Sequence, residues 1–158
     1  MSIGSDVIIR PAQVKDSPQV VSLVTSILAK EFPADQTAYA MDDIQKLMET
    51  YAFPTSSFLV AVDDDRIVGT CGIKADGPDT AILRRLFVAQ DHRGRGIGFG
   101  LLKEALAFCR SRGFREVVIR TSTRMERAIQ LCKALGFEEG GCWTMGQVTL
   151  IRFHLRLT

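Results

Sequence analysis

The stretch DHRGRGIGFGLL, residues 91–102, combines two arginines with four alternating glycines directly before an apolar run. Each glycine in a helix interior costs about 1 kcal/mol relative to alanine, so a flexible turn explains the composition only in part. A helix N-terminus presents unpaired N–H groups and a partial positive charge, and glycines let a phosphate approach the backbone. Arg93 and Arg95 add full positive charges. The stretch therefore predicts an anion site at the start of a helix.

The residues alone leave the phosphate ligand open. The spacing is not G-x-G-x-x-G, because Phe99 occupies the place of the third glycine counted from Gly94. No Walker lysine follows either. These two differences argue against a dinucleotide-binding protein and against a P-loop nucleotide hydrolase.

Composition narrows the class of protein further. The 158 residues are 46% hydrophobic and carry a net charge of +2, which is normal for a globular domain and too mild to indicate nucleic acid. No apolar run reaches a membrane span, and the N-terminus lacks the pattern of a secretory signal. The four cysteines form no CxxC motif and the two histidines lie far apart, so we expect no metal site and no disulfides. Reduced thiols indicate a cytoplasmic protein.

Periodicity predicts the elements that must position the anion site. Four helices are expected. The first covers 16–32 and is capped by Asp16 or Ser17, and the second puts Ile44, Leu47, Met48 and Tyr51 on one face. The third covers 96–112, and the fourth covers 123–137, where Thr123 and Glu126 have the spacing of a capping box. The stretch 32–39 is a predicted loop. Strands are expected over 6–12, 80–89, 116–122, 138–145 and 149–157, with a hairpin over 57–73.

The order of these elements predicts an α/β (α+β) fold in one domain spanning residues 1–158. Its centre is a mixed, mostly antiparallel sheet of about seven strands with helices on both faces. The strand–helix–strand unit over 80–122 should place its two strands parallel and adjacent.

The motifs, in this order, resemble the GNAT superfamily of acetyl-CoA-dependent N-acetyltransferases. Residues 93–98 match the R/Q-x-x-G-x-G/A signature, and AIQLCKALGF resembles the family's later helix motif, A-x-x-LY-x-x-x-GF. The preceding strands, IVGTCGI and LRRLFV, resemble its core as well. The likeness covers most of residues 58–140 and implies the GNAT fold with acetyl-CoA as cosubstrate.

The resemblance implies a cofactor site and a mechanism. Amides from Arg93 to Phe99 would hold the pyrophosphate, and the pantetheine arm would lie along the strand 82–88, using its backbone as an added strand does. In the family a bulge splays this strand from its parallel neighbour, and the sequence fits a bulge, since strict alternation puts Leu83 on the opposite face from Leu86 and Val88. An amide freed there would stabilise the thioester oxygen while an amine attacks. The implied cofactor-binding residues are Leu86, Phe87, Val88, Arg93, Gly94, Arg95, Gly96, Ile97, Gly98, Phe99, Met125, Ala128 and Cys132.

Three positions depart from the family pattern. Ile82 replaces a frequent carboxylate, Met125 replaces an asparagine that often contacts the cofactor, and Cys132 replaces the tyrosine that often protonates the departing thiolate. Cys132 is the candidate catalytic acid, although a small apolar filler fits the position better and a CoA thiolate can leave unprotonated. The base is unassigned, because Glu31, Asp35 and Asp42 lie near the acceptor side but loop carboxylates are usually solvated.

These departures leave two functions open. The first is an N-acetyltransferase that acts on an unidentified amine. The alternative is a non-catalytic acyl-CoA-binding sensor or regulatory module with the same fold. The residues do not distinguish a monomer from a homodimer, although members of the family often dimerise. Neither nucleic acid nor a membrane is an expected partner.

Overall fold

The predicted apolar runs form one seven-stranded sheet in a computed structural model of the protein, which describes residues 7–38 and 41–157. The strands are β1 (Val7–Pro11), β2 (Ser57–Asp63), β3 (Arg66–Asp76), β4 (Thr80–Val88), β5 (Glu116–Ser122), β6 (Glu138–Met145) and β7 (Val148–Arg156). Their spatial order is β1-β2-β3-β4-β5-β7-β6, and only β4 and β5 pair in parallel. The mixed, mostly antiparallel sheet and its parallel crossover are therefore confirmed.

Alternation in the strands separates two cores on opposite faces of the sheet. The helices are α1 (Ser17–Glu31), α2 (Asp42–Gln45), α3 (Leu47–Thr50), α4 (Ile97–Ser111) and α5 (Glu126–Ala134). In β2, Phe58 and Val60 pack with α1, α2 and α3, whereas Leu59 and Ala61 pack with α4. The apolar face of α4 is buried, with Leu101 and Leu102 fully enclosed. Helices thus cover both faces of the sheet.

The second predicted helix is interrupted. Its chain leaves helical geometry at Lys46, where φ is −115° and ψ is 48°, so α2 and α3 are two short helices. Ile44, Leu47 and Tyr51 are buried as predicted, whereas Met48 is 41% exposed. The interruption changes which side chains of this segment share a face.

Of the two predicted helix caps, the one at Thr123 is wrong. Helix α5 begins only at Glu126, because the Thr123 N–H donates to the Thr149 carbonyl and keeps that residue with the sheet. Asp16 is the N-cap residue of α1, as predicted, but it gives the helix no side-chain hydrogen bond; its carboxylate instead accepts hydrogen bonds from Arg10 and from the Gln13 N–H.

The segment between α1 and α2 also differs from a plain loop, since Pro33–Ala38 forms a 3₁₀ turn. The expectations for Asp6, Tyr39 and the two chain ends lie outside the described residues. Within the described ranges, no helix has the length and apolar character that a membrane crossing requires.

Candidate active site

An open groove of about 760 Å³ lies where β4 and β5 diverge. It runs between the end of β4, the start of α4, α5 and the end of α1. Most of the predicted cofactor-binding residues line it: Leu86, Phe87, Val88, Arg93, Gly94, Gly96, Ile97, Gly98, Phe99, Met125 and Ala128. The groove thus collects residues from distant parts of the sequence on one continuous surface.

A bulge in β4 opens the groove. Thr70 of β3 pairs with Phe87, but Gly72 pairs with Arg84, so two residues of β4 oppose one residue of β3. Arg85 has φ of 58°, a left-handed conformation that costs a residue with a side chain about 1–2 kcal/mol. The parallel ladder to β5 ends at the pair Leu83–Ile119. The predicted bulge and divergence are therefore confirmed, and the β5-facing edge of β4 beyond Leu83 is left outside that ladder.

The phosphate loop, defined as residues 93–96, enters α4 with two left-handed glycines. Gly94 has φ of 79° and Gly96, the N-cap residue, has φ of 81°, which glycine adopts without steric cost. The first amides of the 15-residue helix α4 have no partner within the helix, and the helix dipole makes this end partially positive. This geometry suits an anion held by backbone N–H groups.

The arginine side chains of the loop differ from the prediction. The Arg93 guanidinium donates to both oxygens of Glu31, at 2.5 and 2.7 Å, and its Nε donates to the Val88 carbonyl at 3.0 Å. The Arg95 side chain lies outside the groove lining and contacts the Asp91 carbonyl at 3.4 Å. The Arg93 guanidinium is thus already paired with a carboxylate, and the Arg95 side chain meets only a backbone carbonyl outside the groove.

Glu31 and Arg93 together fasten three elements. The Arg93 guanidinium holds the pKa of Glu31 below its usual value, against the opposing effect of burial. Glu31 ends α1, Arg93 belongs to the phosphate loop, and Val88 ends β4. Glu31 is thus an ionised, paired carboxylate on the groove wall, not the solvated loop residue expected from the sequence.

Cys132 occupies the core and not the groove surface. Its side chain is fully buried within the core beneath α4 and α5, and it is absent from the groove lining. Burial raises the pKa of its thiol to about 12. This placement suits the space-filling interpretation of Cys132 better than contact with a leaving thiolate.

Asp35 is the functional candidate that the sequence interpretation placed wrongly. It is fully buried, accepting from the Ser122 hydroxyl at 2.8 Å and from Arg124 at 2.7 Å, and Arg124 lines the groove. Its partners lie 87 and 89 residues away, so no local pattern could identify it. Asp42, by contrast, is exposed at the start of α2.

His92 lies directly before the phosphate loop and also lines the groove. Its Nδ1 is 2.8 Å from an Asp91 oxygen and its Nε2 is 2.7 Å from an Asp63 oxygen. These two carboxylates, led by Asp91, raise the pKa of the imidazole. His92 therefore links the loop to the β2–β3 hairpin.

Comparison with known proteins agrees with this geometry. The sequence model of the Acetyltransferase (GNAT) family matches residues 21–137, so the chain belongs to this family. The chain is 30% identical over 137 residues to Probable N-acetyltransferase family 8 member 5 of Mus musculus, an alignment covering 83% of this chain. It spans 60% of that relative's length and about half the length of other curated relatives it matches.

Solved structures share the fold. A GNAT-family acetyltransferase of Staphylococcus aureus Mu50 superposes with a TM-score of 0.84 at 19% identity, covering 96% of this chain and 99% of that one. The structure of yncA from Salmonella typhimurium, solved with its cofactor acetyl-CoA, gives 0.79 at 18% identity, covering 98% and 95%. At these identities the likeness establishes the fold, which confirms the predicted GNAT architecture.

Proposed function

We propose that the chain transfers an acetyl group from acetyl-CoA to a primary amine. The observation that carries the proposal is the groove itself, which joins an unpaired strand edge to the N-terminus of α4. An extended arm that carries amides and ends in a pyrophosphate needs both features side by side. Family membership and the acetyl-CoA complex of a structural neighbour support the choice of this cosubstrate.

The phosphate loop and the first residues of α4 would bind the pyrophosphate through backbone amides from Arg93 to Phe99. The partial charge of the helix end and the glycine conformations support this role more than the arginine side chains do. Arg93 would act by fixing the loop, because its guanidinium is already paired with Glu31.

The pantetheine arm would lie along the backbone of Leu86 and Val88. The β4–β5 ladder ends before these residues, so their backbone groups on that side could pair with the arm's amides, except for the Val88 carbonyl, which accepts from the Arg93 Nε at 3.0 Å. An amide at the bulge would stabilise charge on the thioester oxygen. The amine nitrogen then bonds to the carbonyl carbon, the C–S bond breaks, the thiolate leaves with the electron pair and the ammonium releases its extra proton to solvent.

A specific observation keeps the non-catalytic acyl-CoA binder as the second candidate. Ile82 and Cys132, at the family's carboxylate and tyrosine positions, are both buried. Acetyl-CoA binding without amine-dependent thiol release, across a broad panel of amines, would favour that binder. Amine-dependent release would favour the transferase.

Two glycines give a matched test of the phosphate loop. Gly94 and Gly77 have φ of 79° and 81°, and a Cβ on either would meet nothing within 4 Å. Alanine at either site should cost about 1–2 kcal/mol of stability through the same backbone strain. Only Gly94→Ala should weaken acetyl-CoA binding, by about tenfold or more, because only Gly94 lines the groove. Equal dissociation constants for the two variants in calorimetric titration would contradict the loop assignment.

A further inference from the structure

A buried ion pair lies directly behind the β4 bulge. The Arg85 Nη2 is 2.6 Å from one Asp43 oxygen and its Nε is 3.0 Å from the other. The Arg85 side chain is 6% exposed and that of Asp43 12% exposed. The left-handed residue of the bulge is therefore held from α2 by a two-point contact, the strongest geometry available to an arginine and a carboxylate.

Tyr51 extends this contact across the sheet face. Its hydroxyl donates to Asp43 at 2.6 Å, and its ring packs on Gly72, where a Cβ would lie only 2.7 Å from the ring. Gly72 is the β3 residue that pairs beside the bulge. Burial by itself would raise the pKa of Asp43, but Arg85 and Tyr51 hold it below its usual value, so Asp43 stays ionised.

The backbone of the bulge is also held from β3. The buried Thr70 hydroxyl donates to the Arg85 carbonyl at 2.6 Å. Side chain and carbonyl of one strained residue are thus both fixed, and the residues that follow it, Leu86 to Val88, line the groove. Strained backbone persists where the surroundings over-determine it, and such positions often serve a function.

We propose that Asp43, Tyr51 and Arg85 form a bulge clamp that positions the Leu86–Val88 edge for acyl transfer. They are positioning residues, because none of them lines the groove. This inference rests on the proposed function. Without the clamp, β4 is free to relax toward regular pairing, which moves the carbonyl-binding amide relative to the phosphate loop.

The clamp should affect turnover more than binding. The phosphate loop is held by separate contacts, chiefly Arg93 with Glu31, so acetyl-CoA affinity should fall less than turnover, although the pantetheine arm lies on the edge that the clamp positions. Misplacement by about 1 Å costs about 10²-fold in rate, so we expect Asp43→Asn to lower turnover by about 10- to 100-fold. Tyr51→Phe keeps the ring on Gly72 and removes one hydrogen bond, so its loss should be smaller.

The chain offers a matched control in Asp16. Its carboxylate also accepts a two-point contact from an arginine, Arg10, at 2.7 and 3.1 Å, and a third hydrogen bond from the Gln13 N–H. Asp16 lies far from the bulge in sequence and does not line the groove. Asp16→Asn should lower stability as Asp43→Asn does and leave turnover of the folded enzyme unchanged. All rates are compared at a temperature where unfolding curves show each variant fully folded.

Hydrogen exchange tests the clamp without any substrate. Amides of residues 84–88 should exchange about tenfold faster in Asp43→Asn than in the wild type, because local opening of the bulge becomes easier. In Asp16→Asn, these amides should exchange as they do in the wild type. Unchanged exchange overturns the clamp. Faster exchange with unchanged turnover overturns its role in positioning.

The same experiments separate the clamp from the proposed function. A wild type that neither binds acetyl-CoA nor releases thiol would overturn the proposed function and, with it, the positioning role, whatever the exchange result. A wild type that turns over, with Asp43→Asn and Asp16→Asn equally active, would overturn only the clamp. A fall in turnover that exceeds the fall in acetyl-CoA affinity in Asp43→Asn supports both.

Discussion

At the scale of single residues, burial decides what Cys132 can do. A general acid must reach the proton acceptor, and Cys132 is enclosed in the core behind the groove wall. Its raised pKa, about 12, keeps the thiol protonated but does not bring it to the leaving sulfur. A CoA thiolate has a low enough basicity to leave without a protein acid. The space-filling role is therefore the simpler interpretation.

Substitution of Cys132 distinguishes the two roles. Loss of a general acid costs about 10²-fold in turnover, whereas loss of a filler costs stability. We expect Cys132→Ala to lower the free energy of unfolding by about 1 kcal/mol and Cys132→Ser to lower it by about 1–3 kcal/mol through a buried hydroxyl. Both should keep the turnover of the folded enzyme, measured beside urea unfolding curves. A 10²-fold loss in both variants would instead identify Cys132 as the acid.

The paired carboxylates show what residue patterns could not predict. Glu31, Asp35 and Asp43 each meet an arginine that lies 62, 89 and 42 residues away. Local composition suggests solvated loop residues, because the sequence around each carboxylate does not show the arginine that the fold brings near it. The left-handed turn at the start of α4, by contrast, depends on adjacent residues, and the glycines of the loop are the signal for it.

At the scale of elements, the short turn Gln90–His92 connects β4 to the phosphate loop, and the hydrogen bonds of the His92 side chain hold this turn in place. Both ring nitrogens face carboxylates, so both hydrogen bonds form fully only when the imidazole is protonated. Asp91 is also held by Arg66, and Arg95 opposes the protonated form. The connection between the loop and the β2–β3 hairpin should therefore depend on pH.

The pKa of His92 sets the direction of that dependence. It is raised in the folded protein above an unfolded value of about 6.5, so the native state binds the proton more tightly. The stabilisation is complete below about pH 6.5 and is lost as pH rises through the folded-state pKa. Urea unfolding between pH 6 and 9, a range of about three units chosen to span this window, should show this loss in the wild type.

The second histidine provides the control for this measurement. His154 is partly exposed and its nearest carboxylate oxygen, on Glu116, is 3.8 Å away. His154→Gln should retain the pH dependence, and His92→Gln should abolish the part that begins near pH 6.5. Identical pH profiles for the wild type and His92→Gln would show that the link carries no titrating stabilisation.

Element boundaries were predictable where one face of a segment is uniformly apolar. They were not predictable where contacts with other parts of the fold determine the boundary. The β4 bulge was implied by the family resemblance, and the positions of Leu83 and Leu86 in an alternating strand fit it. The break at Lys46 did not, because the apolar spacing of that segment is compatible with one helix. The capping box at Thr123 failed because a strand partner, Thr149, took its N–H.

At the scale of the whole molecule, the groove lies at the junction of the two cores. Leu86 and Val88 pack against the core beneath α4, whereas Phe87 and Met125 belong to the core beneath α1. A ligand in the groove therefore contacts elements from both faces of the sheet. Because unfolding destroys such a composite site, binding should stabilise the entire fold and not one segment.

Thermal unfolding measures this coupling. At a concentration 100 times its dissociation constant, a ligand specific for the native state adds about 2.7 kcal/mol, which corresponds to a rise in Tm of about 5–10 °C for a domain of this size. Acetyl-CoA and CoA should each give such a rise. NAD and ATP should give much less, because neither places a pantetheine arm along β4. The Gly94→Ala variant should respond weakly to acetyl-CoA, and Gly77→Ala should respond as the wild type does. Equal rises from all four ligands at equal concentration would contradict a site built for CoA.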